Sequence, residues 1–217
     1  MCYSNVHTHH VDKKGLCIVN CMVNDYSGQA ELYPDALFSL GIHPRFIRKD
    51  NENEWQKIDE YCGTERVVAV GECGLDIFAE AGGKTQEYIF IRQIELSEKY
   101  RKPMIIHCVK MHNELIRLKN RYKPGMDWII HGYRGNVVQT EQLLKHGFYL
   151  SYGRIFNPES VKITPLTRIF LETDDSTTDI KDVYRNVAPV LNITPEELSV
   201  ITENNFKRIF RPASSRI

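Results

Sequence analysis

Short apolar runs alternate along the chain with longer segments that show the spacing of amphipathic helices. The apolar runs are rich in Val, Ile, Leu and Phe, which is typical of strands buried on both faces. They predict eight strands, at residues 2–6, 16–22, 37–42, 67–72, 103–107, 128–131, 148–151 and 169–172. The helical spacing predicts helices at residues 54–62, 85–99, 111–121, 136–145 and 179–191.

Eight strands that alternate with helices favour a closed TIM (β/α)8 barrel, an α/β fold, over an open sheet. The first crossover departs from this pattern, because only about nine residues separate the first two predicted strands. A parallel crossover normally needs a dozen or more residues. We therefore expect trimmed helices at the first two crossovers. The apolar barrel wall exposed in this way could be covered by a second copy of the chain, as a homo-oligomer.

The length of the chain predicts one domain. The chain has 217 residues and a mass of 25.2 kDa, and it shows no internal repeat. We predict a single domain at residues 1–211 and a frayed tail at residues 212–217. No apolar run is long enough to cross a membrane, and the polar start lacks the features of a secretion signal. Six cysteines without a C-x-x-C pair are typical of reduced thiols, so we expect a cytoplasmic protein with no membrane contact.

Charge is balanced over the whole chain but not along it. The 28 basic and 28 acidic residues give a net charge of zero, which excludes a general electrostatic coat for nucleic acid. Residues 101–168, in contrast, contain 12 basic and 4 acidic residues and have a net charge of +8. Contacts with a polyanion are therefore expected to be local.

Six side chains that can bind metals stand at or just after the ends of predicted strands. They are His7, His9, Glu72, His107, His131 and Asp174. The C-terminal ends of parallel barrel strands open on one face, where this fold builds its active sites. Six ligands exceed the three that an open catalytic zinc takes, so we expect two divalent ions that share one carboxylate. A donor set rich in histidine suits zinc, manganese, iron or cobalt better than magnesium, without excluding magnesium.

The same residues lie in motifs that follow one another along nearly the whole chain. The motifs are His7-Thr8-His9, Gly41-Ile42-His43-Pro44, Gly71-Glu72-Cys73-Gly74-Leu75-Asp76, Pro103-Met104-Ile105-Ile106-His107, Leu171-Glu172-Thr173-Asp174 and Asn205-Phe206-Lys207-Arg208-Ile209-Phe210. In type and order they resemble those of the TatD-like metal-dependent hydrolases, the TatD deoxyribonuclease family of the amidohydrolase superfamily. The resemblance implies a short member of that family, with a TIM barrel and a two-metal site. It implies one ion on His7, His9 and Asp174, a second on His107 and His131, and Glu72 as the bridge.

Some positions depart from the family pattern. Asn5 stands where the family usually has Asp, which we expect to alter the support of the ligands rather than the ligands themselves. Arg134 replaces a Ser or Thr in the motif that begins at His131, and residues 175–178 lack the usual Pro and aromatic residue. Every implied ligand is present, so we expect a competent catalyst, and the departures bear on its choice of substrate.

The leading hypothesis is a divalent-metal-dependent phosphodiesterase or deoxyribonuclease that uses a water activated by two metals. Asp174 would hold and deprotonate the water, and Glu72 would bridge the ions. Four further residues follow strand-end motifs and are candidates for contacts with DNA or another phosphodiester, because cations match phosphate groups. These are His43, Arg45, Lys110 and Arg134. The alternative is a place on the solvated rim for the three cations, and support of the ligands or a satisfied loop histidine for His43.

Two other classes of function stay open. The first is an amidohydrolase-like enzyme that cleaves C–N or ester bonds in a small molecule. The second is a non-catalytic, metal-binding interaction protein, which would have been free to lose ligands.

Overall fold

Eight parallel strands form the centre of the computed structural model, which describes residues 3–11, 15–48 and 52–210. The order of the strands in the sheet follows their order in the chain. They are β1 (Ser4–Thr8), β2 (Leu16–Cys21), β3 (Leu37–Leu40), β4 (Val67–Asp76), β5 (Met104–Val109), β6 (Trp128–Ile130), β7 (Tyr149–Tyr152) and β8 (Ile169–Leu171). The predicted alternation of strands and helices is confirmed, and so is the TIM barrel.

The first and last strands meet, and this contact closes the sheet into a barrel. Thr8 and Asp174 form a parallel bridge. The backbone N–H of His9 donates to the carbonyl of Asp174 at 3.0 Å, and the N–H of Asp174 donates to the carbonyl of His7 at 3.0 Å. The closing contact therefore lies at the C-terminal ends of the strands, among the predicted metal ligands.

Helices follow most of the strands and cover the outside of the barrel. They are α1 (Tyr26–Leu32), α2 (Glu52–Cys62), α3 (Gly83–Tyr100), α4 (His112–Tyr122), α5 (Val137–Lys145), α6 (Pro158–Ile163), α7 (Ile180–Val187) and α8 (Pro195–Ile209). Four of the five predicted helices are confirmed to within two residues at each end. The fifth, at residues 179–191, is α7 followed by a 3-10 turn at Ala188–Leu191.

The first two crossovers are short, as predicted. Between β1 and β2 no helix is present in the described part, which leaves out residues 12–14, and α1 has only seven residues. An apolar groove of about 400 Å³ lies here, lined by Leu16, Leu32 and Leu37 among others. Leu32 is 66% exposed. The trimmed helices thus leave part of the barrel wall uncovered, and its burial by a second copy stays a prediction.

Helix α8 was missed by the sequence prediction, although its start has a clear signal. The Thr194 hydroxyl accepts from the N–H of Glu197, and the Glu197 carboxylate accepts from the N–H of Thr194. This capping box satisfies two N–H groups that the first turn of a helix leaves free. Near the other end, Phe206 and Phe210 pack into the apolar cluster that fills the barrel. Helix α8 therefore closes the end of the barrel opposite the predicted site.

Two apolar clusters hold the structure together. One fills the barrel with residues such as Ile18, Ile105 and Phe170. The other lies between the strands and the surrounding helices. Within the barrel the apolar layers give way to buried polar side chains near the strand ends, including His7, Glu72 and His131 in the described structure. The barrel thus has a packed apolar interior and a polar opening at the C-terminal ends of its strands, which we call the mouth.

Strand β4 extends four residues beyond the predicted end at Glu72, to Asp76. Gly74 makes this possible, because a side chain there would collide with the backbone carbonyl of His107 on β5, and its φ of +144° is unfavourable for other residues. The close approach of the two strands brings Asp76 beside His107.

Other sequence predictions concern the thiols, the tail and membranes. Five cysteines of the described residues are free thiols, which agrees with the reduced state expected for them. In residues 3–11, 15–48 and 52–210, no helix is long and apolar enough to cross a membrane. The tail predicted at residues 212–217 lies outside the described residues, and the single domain at residues 1–211 stays a prediction.

Candidate metal centre

Glu72 lies buried at the centre of the mouth, among three histidines. Its Oε1 is 2.8 Å from Nε2 of His131, 3.0 Å from Nδ1 of His107 and 3.1 Å from Nε2 of His43. Its Oε2 accepts a hydrogen bond from the Asn20 amide at 3.1 Å, and the Glu72 N–H donates to the Asn20 Oδ1 at 2.9 Å. Asn20, on β2, thus fixes the carboxylate that the sequence places in the bridging position.

His7, His9 and Asp174 form a second group at the closing contact of the barrel. Nε2 of His7 lies 3.4 Å from Oδ1 of Asp174 and 3.5 Å from Oε2 of Glu72. Nε2 of His9 lies 3.5 Å from the same Asp174 oxygen. His7 is fully buried, whereas the side chains of His9 and Asp174 are partly exposed. This group therefore faces both the core of the site and its opening.

The donor atoms of this mouth fit divalent metal ions. Both ring nitrogens of the buried His7 are without a hydrogen-bond partner, which is uncommon for buried polar atoms. Its distances to two carboxylate oxygens are too long for strong hydrogen bonds but suit ligands that each lie about 2.0–2.2 Å from a shared ion. Three overlapping sets of donors have all their atoms within 4.8 Å of one another: His7, His131 and Asp174; His7, His9 and Glu72; and His43, Glu72 and His107.

The rings of His107 and His131 are each held between two carboxylates. Nε2 of His107 is 3.0 Å from Oδ2 of Asp76, while its Nδ1 faces Glu72. Nδ1 of His131 is 3.3 Å from Oε1 of Glu172, while its Nε2 faces Glu72. A carboxylate only accepts, so the outer nitrogen of each ring carries a proton, and the inner lone pair needs a cation or a second proton. This is the arrangement that orients histidines as metal ligands.

His43 differs from these two histidines in its proton position. Its Nδ1 accepts a hydrogen bond from the N–H of Arg45 at 3.1 Å. The ring proton therefore lies on Nε2, which points at Glu72. In this tautomer His43 donates a hydrogen bond into the site rather than offering a lone pair to an ion.

Several supporting residues were not recognised as such in the sequence. Asp76 and Glu172 lie within quoted motifs, but only the structure shows that each holds one histidine. Asn20 had no signal, since it sits among apolar residues of β2. Asn5 was expected to act on ligand support, and its amide does bond to Thr173, the residue before Asp174, at 2.8 Å.

The charges of the site reinforce one another. Burial by itself would raise the pKa of Glu72, but His131 and the hydrogen bonds from His107, His131 and His43 hold it well below its usual value. Burial by itself would also raise the pKa of Asp174, but His7 and His9 outweigh this effect and hold the pKa below its usual value. Both carboxylates are therefore ionised, as metal ligands must be.

The candidate substrate contacts lie around the rim. Nε of Arg45 is 2.6 Å from Oδ2 of the buried Asp76, and its guanidinium is half exposed. Lys110 is exposed, with its ammonium 5.1 Å from the centre of the Phe78 ring. Arg134 is exposed after β6 and lines a small pocket together with Asp174. Arg154, which lines the same pocket, was not noted in the sequence.

Comparisons with known proteins agree with this geometry. A family model described as TatD related DNase matches residues 14–211. An uncharacterized metal-dependent hydrolase of Buchnera aphidicola subsp. Baizongia pistaciae is 30% identical over an alignment of 198 positions, and the match covers 81% of this chain and 74% of that protein. A protein of Edwardsiella piscicida named 3'-5' ssDNA/RNA exonuclease TatD is 28% identical over an alignment of 214 positions, and the match covers 85% of this chain and 82% of the relative.

A solved structure shows the same fold. The crystal structure of YjjV, a TatD homolog from Escherichia coli K12, superimposes with a TM-score of 0.81 at 20% sequence identity. The match covers 96% of this chain and 97% of YjjV. The family model spans most of the chain, and a relative passes 30% identity over four fifths of it. The chain therefore belongs to the TatD family of metal-dependent hydrolases.

Proposed function

We propose that this hydrolase is a two-metal phosphodiesterase that cleaves DNA or a related nucleic acid strand. The observation that carries the proposal is the convergence of strand-end donors on Glu72, whose Oε1 lies 2.8 Å from Nε2 of His131 and 3.0 Å from Nδ1 of His107. The name of the Edwardsiella relative, an exonuclease for single-stranded DNA and RNA, supports a nucleic acid substrate. The cations Arg45, Lys110 and Arg134 on the rim support an anionic one.

The six predicted ligands would hold two divalent ions, with zinc, manganese and magnesium as the candidates. His7, His9 and Asp174 would hold one ion, His107 and His131 would hold the other, and Glu72 would reach both. When bound, such ions lower the pKa of a coordinated water and neutralise charge on the attacked phosphoryl group. Asp76 and Glu172 fix the rings of the second pair so that their lone pairs face inward.

Asp174 is the residue that would accept the proton of the attacking water. It is ionised, partly exposed, and placed where a water could approach from the mouth. Its backbone is tied to β1 by two hydrogen bonds, so that its carboxylate has a fixed position. Such rigidity keeps the base aligned with the reacting atoms.

His43 would donate a hydrogen bond to the leaving oxygen and keep its only ring proton. Its ring proton lies on Nε2 at the inner edge of the mouth, and the Arg45 N–H holds the ring in that tautomer. An alkoxide that leaves a phosphodiester needs such a donor at neutral pH.

Cleavage assays test the proposed function. The purified protein is supplied with Zn²⁺, Mn²⁺ or Mg²⁺ and given labelled single-stranded DNA beside bis-p-nitrophenyl phosphate, with an amide and a carboxylic ester as further substrates. We expect cleavage of the phosphodiesters, and a kcat about 10²- to 10⁴-fold lower in Asp174→Asn. Asp182→Asn, which changes an exposed carboxylate on α7, is the matched control and should retain the wild-type rate.

Two results would contradict the proposal. If two bound ions are confirmed and the protein cleaves neither of the two phosphodiesters, the nuclease is excluded. Cleavage of the amide or ester alone would instead favour the amidohydrolase-like alternative, and no cleavage at all would favour a metal-binding interaction protein.

A further inference from the structure

A small pocket opens beside the metal centre, between the ends of β6, β7 and β8. We call it the β6–β8 pocket. Its lining includes Gly132, Arg134, Gly153, Arg154 and Asp174. Asp174 belongs to the proposed catalytic group, so a group bound in this pocket would lie next to the reacting centre. Loops after the last barrel strands are also where this fold frequently binds phosphate.

Two arginines line the pocket beside three acidic residues, Glu172, Asp174 and Asp175. Arg134 follows β6 and Arg154 follows β7, and both side chains are exposed. Within the described residues, neither guanidinium is seen with a carboxylate partner, whereas Arg45, Arg117 and Arg185 each have one. Two unpaired guanidinium groups at one small opening favour an anionic ligand with several oxygens, because their N–H groups match phosphate in pairs.

Two of the three acidic residues of the lining are already engaged. Oε1 of Glu172 accepts from the N–H of Gly132 at 2.7 Å and lies 3.3 Å from Nδ1 of His131. Asp174 Oδ1 faces His7 and His9. These two carboxylates therefore point to the metal centre and its support, whereas Asp175 is exposed to solvent. The two guanidinium groups are left for a ligand.

The size of the pocket suits a single phosphate group. Its volume is about 60 Å³, which is the space that about two water molecules take up in the liquid. Two glycines keep this space open. A Cβ added at Gly153 would meet Glu172 only at 3.7 Å, an ordinary contact, so the fold does not require glycine there. The missing side chain leaves room in the pocket instead.

We propose that the β6–β8 pocket binds the terminal phosphomonoester of a nucleic acid strand and so selects strands with a phosphorylated end. This inference rests on the proposed function. A monoester carries close to two negative charges at neutral pH and matches two guanidinium groups, whereas an internal diester carries one. A pocket of this size admits the end of a strand and not a continuing chain.

Binding of inorganic phosphate tests the pocket without reference to cleavage. Phosphate is titrated by calorimetry into the metal-loaded protein and into the Arg134→Gln/Arg154→Gln double variant. We expect the double variant to bind phosphate about 10- to 100-fold more weakly, since each charged hydrogen bond lost has an effect of this size. The control is Arg117→Gln/Arg185→Gln, which removes the same charge from paired arginines on α4 and α7. Equal affinity in wild type and the Arg134/Arg154 variant would mean that phosphate binds only to the ions, and would overturn the inference.

A third variant separates the shape of the pocket from its charge. Gly153→Ala keeps both guanidinium groups and should fold, because the added Cβ meets Glu172 only at ordinary contact distances. We expect it to weaken phosphate binding as the double variant does. Unchanged binding would show that phosphate is attracted elsewhere on the surface.

Cleavage of matched oligonucleotides tests the selection of strand ends. One sequence is supplied with a 5'-phosphate, with a 3'-phosphate, or with hydroxyl groups at both ends. Wild type should prefer one phosphorylated form by about 10-fold or more in kcat/KM, and the double variant should lose the preference. Cleavage by wild type without any preference would refute the pocket while leaving the nuclease intact. Absence of all cleavage would refute the nuclease, and the phosphate titration would still decide on the pocket.

Discussion

Oδ2 of Asp76 lies 3.0 Å from Nε2 of His107 and 2.6 Å from Nε of Arg45. Asp76 is fully buried, and its other oxygen accepts from the N–H of Phe78 at 2.8 Å. Burial alone would raise the pKa of Asp76, but the Phe78 N–H, His107 and Arg45 lower it below its usual value. The carboxylate therefore remains ionised, and it sets which nitrogen of His107 faces the metal centre.

Replacing Asp76 should weaken metal binding although Asp76 is not itself a ligand. In Asp76→Asn the ring of His107 loses its carboxylate partner and its fixed tautomer. We expect the affinity for one of two zinc ions to fall about 10- to 100-fold, as measured by competition with a chromogenic chelator. Asp59→Asn, which alters an exposed carboxylate beside Lys99, should bind zinc like wild type. Wild-type affinity in Asp76→Asn would show that His107 does not need this support.

Glu72→Gln should reduce the number of bound ions. The substitution keeps the size of the side chain but replaces a charged oxygen that faces His107 and His131 with a neutral amide. We expect elemental analysis after dialysis to show one ion or none per chain, compared with two in wild type. Glu203→Gln, on the surface of α8, is the control. Two ions retained in Glu72→Gln would disprove the bridging role.

Removal of metal should lower the thermal stability. The buried His7 has no hydrogen-bond partner for either ring nitrogen, so an ion would satisfy a group that is otherwise left unpaired. An ion present at 100 times its Kd stabilises by about 2.7 kcal/mol, which is about 5–10 °C in Tm for a domain of this size. Scanning calorimetry with a chelator, and again after zinc is restored, measures this shift. A Tm that does not respond to either treatment would contradict metal binding by the folded protein.

Lys119, which lies outside the metal centre, should make the free energy of unfolding depend on pH. Its ammonium lies 5.0 Å from the ring centre of Trp128 and 4.7 Å from that of Phe148, and burial lowers its pKa to about 8. An unfolded lysine titrates near pH 10.4, so between about pH 8 and 10.4 the unfolded state binds more protons and this group adds stability as pH rises.

The variant Lys119→Met removes the cost of burying this charge. We expect its free energy of unfolding in urea to exceed that of wild type by about 1 kcal/mol at pH 7, where Lys119 is protonated in both states. At pH 10 the difference should shrink, because folded Lys119 is then neutral. A difference that is constant from pH 7 to pH 10 would show that the pKa of Lys119 is not lowered.

Most of the barrel could be predicted because its strands are short and apolar throughout. Each strand between 67 and 172 was found from such a run, and the donor residues were found because they end those runs. The end of β4 was wrong, since the chain after Glu72 continues with Cys73 and Gly74 and has no polar break before Asp76. Helix α8 could have been found from Thr194, Pro195 and Glu197, a capping box with proline in the first turn.

The residues that hold the metal ligands in position could not be predicted from the sequence. These contacts depend on which strands place their side chains at the same level along the barrel axis. Asn20 reaches Glu72 across two strand positions, and Glu172 reaches His131 from β8 to β6. Arg154 became a candidate for ligand binding only because the structure places it in the same pocket as Arg134. Contacts of this kind follow from the stagger between the strands of the closed barrel. The pattern of apolar and polar residues along the sequence does not specify this stagger.

The bridge between Thr8 and Asp174 joins the first strand of the barrel to its last. A nascent chain that has emerged only as far as β7 already carries four of the six donors on β1 to β5 and the fifth after β6, but it lacks the base. Asp174 takes its position only when β8 docks against β1. Under the proposed function, a molecule in which this contact is open therefore lacks its base, although five of the six proposed ligands are already in place.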